Sequence, residues 1–163
     1  MGYKASDAEI LAGMDERKSS FEGGVAFSAK YKNYSIENML LHDLLGYHKS
    51  WLNRTEIGVK YEFGKLGLYP SVVVLYLSGD FMNYYYGVKQ NENNLALNRP
   101  YYKASSGMEY GMQTYISYPL INDFSLLFNL RYDLLPKSAK NSPLTEDNYI
   151  YSGLASIIYT FEY

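Results

Sequence analysis

Few residues in this chain could act as a base or a nucleophile. It carries two histidines, His42 and His48, with Asp43 beside the first and Ser50 close to the second. An imidazole, a hydroxyl and a carboxylate are the parts of a nucleophilic site when the three can meet. His42 and Asp43 are adjacent, however, and neighbours on a strand point to opposite faces. Nothing resembles a G-x-S-x-G turn, so the segment reads as polar residues at a strand end and no catalytic residue is assigned. The two histidines lack the i, i+4 spacing of a helical zinc pair, and the carboxylates form no calcium-loop pattern. No cysteine is present, which excludes thiolate ligation and disulfides. Gly23-Gly24 sits inside a strand rather than in a phosphate loop. Metal and cofactor sites are therefore expected to be absent. A net charge of −2 without a Lys/Arg run gives no electrostatic case for nucleic acid.

The rest of the composition explains what the chain spends its residues on. Aromatics make up 17% of it, with 20 tyrosines against one tryptophan, which excludes a disordered chain. No stretch approaches the ~20 apolar residues of a spanning helix. A mean hydropathy of −0.29 still suits a membrane barrel, whose strands alternate lipid-facing and lumen-facing residues. Period two dominates. Phe124, Leu126, Phe128, Leu130, Tyr132 and Leu134 alternate with Ser125, Leu127, Asn129, Arg131 and Asp133. Met108, Tyr110, Met112, Thr114, Ile116 and Tyr118 alternate with Gly107, Glu109, Gly111, Gln113, Tyr115 and Ser117. A helix would mix these sets. The short link 119–123 predicts a hairpin between the two strands. The same code predicts strands around Phe21 to Tyr31, Arg54 to Phe63 and Tyr149 to Tyr163. The apolar run from Leu68 to Leu77 and the stretch holding Ile36, Met39, Leu40 and Leu44 are read as strands too. Residues 91–100 and 136–148 read as exposed loops.

Side-chain size indicates which face is inside. The apolar faces carry Phe, Leu, Tyr and Met, while Gly24, Ser28, Gly58, Gly107, Gly111 and Ser117 lie on the polar faces. A small soluble barrel mixes small and large residues inside. Here the pattern suits bulky groups against lipid and a lumen of small and charged groups. The expected lumen residues are Glu22, Lys30, Arg54, Glu56, Lys60, Glu62, Glu109, Arg131 and Asp133, with signs mixed so that neighbours can pair. A one-residue slip would put Arg131 in hydrocarbon at ~2–4 kcal/mol. Tyr84, Tyr85, Tyr86, Tyr101, Tyr102, Tyr118 and Tyr132 are expected near strand ends, at the headgroup level. The expected fold is all-β: an antiparallel transmembrane β-barrel, about seven or eight strands of a larger barrel, in one domain over residues 1–163.

Ile157, Tyr159, Phe161 and Tyr163 alternate up to the C-terminus, which resembles the signal by which outer-membrane proteins are recognised by the barrel-assembly machinery. Tyr132-Asp133-Leu134-Leu135, Asn141-Ser142-Pro143-Leu144 and Tyr151-Ser152-Gly153-Leu154 precede it in that order. Together they resemble the closing region of the MipA/OmpV family. Leu11-Ala12-Gly13-Met14-Asp15-Glu16-Arg17 resembles that family's L-x-G-M-x-x-R segment, and Tyr84-Tyr85-Tyr86-Gly87-Val88 its Y-Y-F-G-V segment. The resemblance covers nearly the whole chain. It implies a non-enzymatic protein of the Gram-negative outer membrane, in contact with outer-membrane lipid. It further implies a scaffold associated with a murein transglycosylase and a murein synthase. The alternative is a small-solute pore. Family members carry a signal peptide and further N-terminal strands, and single-chain bacterial barrels have an even strand number. The chain is thus expected to be the C-terminal portion of such a barrel, and a fragment that does not close on itself.

Overall fold

The computed structural model describes residues 2–121 and 123–161. Eight strands form one antiparallel sheet: β1 (Glu22–Tyr31), β2 (Tyr34–Asp43), β3 (Trp51–Val59), β4 (Tyr61–Phe63), β5 (Leu66–Leu77), β6 (Gly107–Pro119), β7 (Phe124–Leu134) and β8 (Tyr149–Tyr159). Their order is β1-β2-β3-β5-β6-β7-β8, with β4 paired to β5. Among the described residues β1 and β8 do not pair, so the sheet is open, as expected.

β3 and β4 are one ribbon with a gap. Gly58 pairs with Ser71 and Tyr61 with Leu68, so the register continues across the interruption. The gap lies opposite Pro70, which has no N–H to offer and sits on an interior strand, where proline is disfavoured. Lys60 turns instead to the β1–β2 turn. Its N–H donates to the Asn33 carbonyl (2.8 Å), and Asn33 Nδ2 donates to the Lys60 carbonyl (3.0 Å). Two hairpin turns hold two residues each, Lys32-Asn33 and Gly64-Lys65. Gly64 takes φ 61°, the positive φ that such tight hairpins need at their first position.

All short turns lie at one end of the sheet. The long connections, residues 44–50, 78–106 and 135–148, gather with residues 2–21 at the other and fold into a cap. Its centre is a helix, α1 (Gly79–Tyr86). Ser78 starts the helix by accepting a hydrogen bond from the Phe81 N–H (3.5 Å). Phe81, Met82, Tyr85 and Tyr86 then recur at helical spacing and are buried. They pack with Leu52, Leu77, Leu135 and Ala139 in the hydrophobic core, the last from a short helix α2 (Lys137–Lys140). Tyr84, Tyr85 and Tyr86 thus belong to the cap and not to a headgroup belt. Tyr101 and Tyr102 are likewise in the cap. Residues 91–100 are not a free loop either: Glu92 and Arg99 are each 2% exposed.

Candidate functional site

The register fixes which side chains share a face. Glu109 lies across from Leu75 and, beyond it, Arg54; Gln113 lies across from Arg131 and Ser71. Followed from strand to strand, the pairing puts Glu22, Lys30, Arg54, Glu56, Glu62, Glu109, Arg131 and Asp133 on one face, with Lys60 beside Glu62. This face is buried at mid-height and the opposite one is bare. Glu109 and Asp133 are 7% and 5% exposed, whereas Phe128 and Leu130 are 42% and 58% exposed.

Two ion clusters occupy the polar face. Arg54 reaches Glu56 (2.5 Å) and Glu37 (3.4 Å), and Glu56 also accepts from Ser71 Oγ and Gln113 Nε2 (2.7 Å each). Arg131 Nε bonds both Asp133 oxygens (2.8 and 2.7 Å), while Nη2 reaches Glu109 (3.3 Å). Charges removed from water need such partners, since an unpaired one costs several kcal/mol. Lys60 and Glu62 pair in the open near the short turns (2.7 Å). Lys30 joins neither cluster, and Glu22 instead meets His48 Nε2 (3.4 Å). Gly111 makes the second cluster possible. A Cβ there would stand 2.3 Å from Asp133 Oδ1. Gly111→Val is therefore expected to push Asp133 off Arg131 and destabilise the fold by about 2–4 kcal/mol, read as a lower urea midpoint in vesicles. An unchanged midpoint would mean that the cluster is not structural.

Towards the capped end the polar face turns apolar. Leu41, Leu52, Leu75 and Leu77 lie on the same side as the charges, and α1 packs against them. Sequence reading missed this, although four leucines at charge-bearing positions are the signal of an element seated inside. The cap is tied by buried arginines. Arg17 Nη2 meets Glu92 (2.7 Å) with side chains 3% and 1% exposed, and Arg17 Nε donates to the Tyr84 carbonyl (2.8 Å). Arg99 donates to the carbonyls of Glu92 (2.9 Å), Ala12 (3.0 Å) and Ile10. Asp43 organises residues 44–50: its carboxylate accepts the N–H groups of Leu45, Gly46, His48 and Lys49 and the Ser20 hydroxyl.

The residues screened first for chemistry do meet, but in a different set. His48 Nδ1 lies 2.7 Å from Ser50 Oγ, and its other nitrogen faces Glu22. His42 and Asp43 take opposite sides of β2, with His42 across from Trp51. Ser50 is 5% exposed, and the His48 ring packs edge-on to Phe81 (5.0 Å). A nucleophile must reach substrate. This trio clasps the loop to the cap.

The outer face has its own order. At the capped end Trp51 stacks on Tyr76 (5.0 Å), and Tyr132, Tyr149 and Tyr151 cluster at 4.9–5.9 Å. At the turn end stand Tyr31, Tyr34, Tyr61, Phe63, Tyr118, Phe124 and Tyr159, all exposed. From Phe124 to Tyr132 the strand runs about 26 Å. At a barrel tilt of ~40° that is about 20 Å of height, near the ~25 Å apolar band between aromatic girdles. Ile157, Tyr159 and Phe161 are exposed together. Tyr163 lies outside the described residues.

An antiparallel sheet with a bare apolar face, aromatic belts at both ends and charges on its other face is the wall of an outer-membrane β-barrel. The model of the family described as MltA-interacting protein MipA matches residues 1–161, and the chain belongs to that family. It is similar to outer membrane protein Omp26La of Vibrio anguillarum, with 26% identity over 98% of this chain and 61% of that protein. It is also similar to outer membrane protein OmpV of Vibrio cholerae, with 25% identity over 99% of this chain and 62% of that protein. With the MltA-interacting protein of Escherichia coli the identity is 26%, over 99% of this chain and 64% of that protein. The chain thus spans less than two thirds of the length of these relatives. No solved structure matches it. Its compartment is the outer membrane of a Gram-negative cell.

Proposed function

We propose that this chain is part of a non-enzymatic, plugged barrel that serves as a membrane scaffold for murein-synthesising enzymes. Residues 1–163 act as one domain of the wall. The outer face lies against membrane lipid and the nine charged residues line the lumen. The observation that carries the reading is α1, seated on Leu52 and Leu77 across the end of the polar face. A lumen stoppered by packed aromatics suits anchoring and display rather than passage. Long connections of such barrels face outward and short turns face the periplasm. The turns at Lys32-Asn33 and Gly64-Lys65 would then meet a murein transglycosylase and a murein synthase. Ile157, Tyr159, Phe161 and Tyr163 would present the assembly signal to the barrel-assembly machinery. The name of the Escherichia coli relative supports the murein reading.

A photo-crosslinking residue at Lys65, in the full protein within cells, is expected to capture a murein transglycosylase. The same residue at Lys103 in the cap should not. Capture from Lys103 alone, or from neither site, would remove the scaffold role.

A further inference from the structure

The outer face is not uniformly convex. Across β5 to β8, just inside the capped-end belt, it carries a dent of ≈ 690 Å³. Pro70, Thr114 and Gly153 make its low points, and Met112, Tyr132 and Tyr151 make its raised side. Pairing aligns these as two adjacent rows, Pro70–Thr114–Leu130–Gly153 and Val72–Met112–Tyr132–Tyr151. The sequence thus places three small or ring-closed residues where the neighbouring row is bulky. Gly153 leaves the floor bare: an added Cβ would touch only Leu130 Cδ2 (3.7 Å) and the Asn129 carbonyl (3.8 Å).

We infer that this dent seats one acyl chain of a lipid from the leaflet at the capped end, as a defined site rather than a passing contact. The inference rests on the proposed lipid-facing role of this surface. Within hydrocarbon there is no hydrophobic gain on binding, because lipid tails are as apolar as leucine. What can retain a chain is contact on several sides, each atom pair adding a little dispersion attraction. Flat wall offers one side, whereas the dent offers a floor and a raised side. Tyr132 and Tyr151, whose rings lie 4.9 Å apart, line the dent on its side towards the capped end. A phenol there suits the level at which a lipid's ester and headgroup begin.

The test uses the full protein purified in mild detergent and examined by native mass spectrometry. The intact protein is expected to retain one lipid per chain. The doubly filled variant Thr114→Phe/Gly153→Phe should retain about tenfold less, while Val25→Phe, on the same outer face, should not differ from the unaltered protein. Equal retention in filled and unfilled forms, no retained lipid, or a retained second copy or polypeptide would overturn the site. A separate measurement isolates the underlying reading. With Trp51 and any other tryptophan of the full protein replaced by Phe, the Phe128→Trp fluorescence is expected to be quenched by lipids brominated in their acyl chains. Loss of that quenching would sink the lipid-facing assignment itself, whatever the retention result.

Discussion

Arg17→Ala is expected to destabilise the protein by roughly 3–5 kcal/mol, because it strands the buried Glu92 carboxylate without its cation. Glu92 is almost wholly enclosed, and burial alone would raise its pKa. The Arg17 guanidinium, together with the N–H groups of Lys89 and Asp15, outweighs burial and holds it at about 2, from an ordinary 4.5. Arg17 is itself pushed up, because Glu92 and its other neighbours more than offset its burial. A carboxylate depressed in the folded state contributes stability that is present above its unfolded pKa and lost as pH falls through the folded one. The window is therefore pH 4.5 down to 2, and the contribution is roughly 3 kcal/mol by the usual 1.36 kcal/mol per pKa unit. In Arg17→Ala the slope should reverse, since a lone buried carboxyl is easier to hold protonated. Urea unfolding in lipid vesicles, followed through Trp51 fluorescence, reads both effects. The double variant Arg17→Met/Glu92→Met should recover most of the loss. A wild-type-like midpoint for Arg17→Ala would show that the cap is not held by this pair.

The full protein in planar bilayers is expected to show no stepwise conductance. Displacing α1 should create it. Met82 is 0% exposed and Leu77 2% exposed, and the two belong to the same core. Met82→Asp puts a charge where water is excluded, at a cost of several kcal/mol that the helix escapes by leaving its seat. Met82 packs with Leu52 and Leu77 at the end of the polar face, while the ladders between strands are backbone bonds that its substitution leaves in place, so the barrel itself should persist. The expected readout is a change from silence to discrete openings, further altered by Arg131→Gln through the charge lining the path. Conductance in the unaltered protein would instead favour the small-solute pore.

Much of the wall was legible because β structure on one polar and one apolar face writes a two-residue period into the chain. Arg131 and Asp133 on one parity, with Phe128 and Leu130 on the other, need no further information to be separated. The hairpin at 119–123 followed from the same code, whereas the strand from Leu68 to Leu77 was legible only as an apolar run of strand length. The cap was not legible in that way. Residues 78–106 and 135–148 contain asparagine, proline and serine, which look like solvent loops, and their order comes from contacts distant in sequence. Glu92 joins Arg17 across 75 positions and Arg99 reaches Ala12 across 87. Tyr84, Tyr85 and Tyr86 were read through tyrosine's general liking for interfaces. The helical recurrence of Phe81, Met82, Tyr85 and Tyr86 carried the better answer. Pairing partners on the polar face also escaped, because Gln113 and Ser71 become partners of Glu56 only once strand neighbours are known.

β1 and β8 both travel from the capped end towards the short turns, since each step along the sheet reverses direction and an even number of steps separates them. Two edges that run the same way cannot be joined by antiparallel bonds. Any all-antiparallel ring that contains this sheet must therefore insert an odd number of ribbons between them. A second identical sheet set the same way up supplies seven ribbons, an odd number, yet still cannot close the ring, because it meets like-directed edges at both seams.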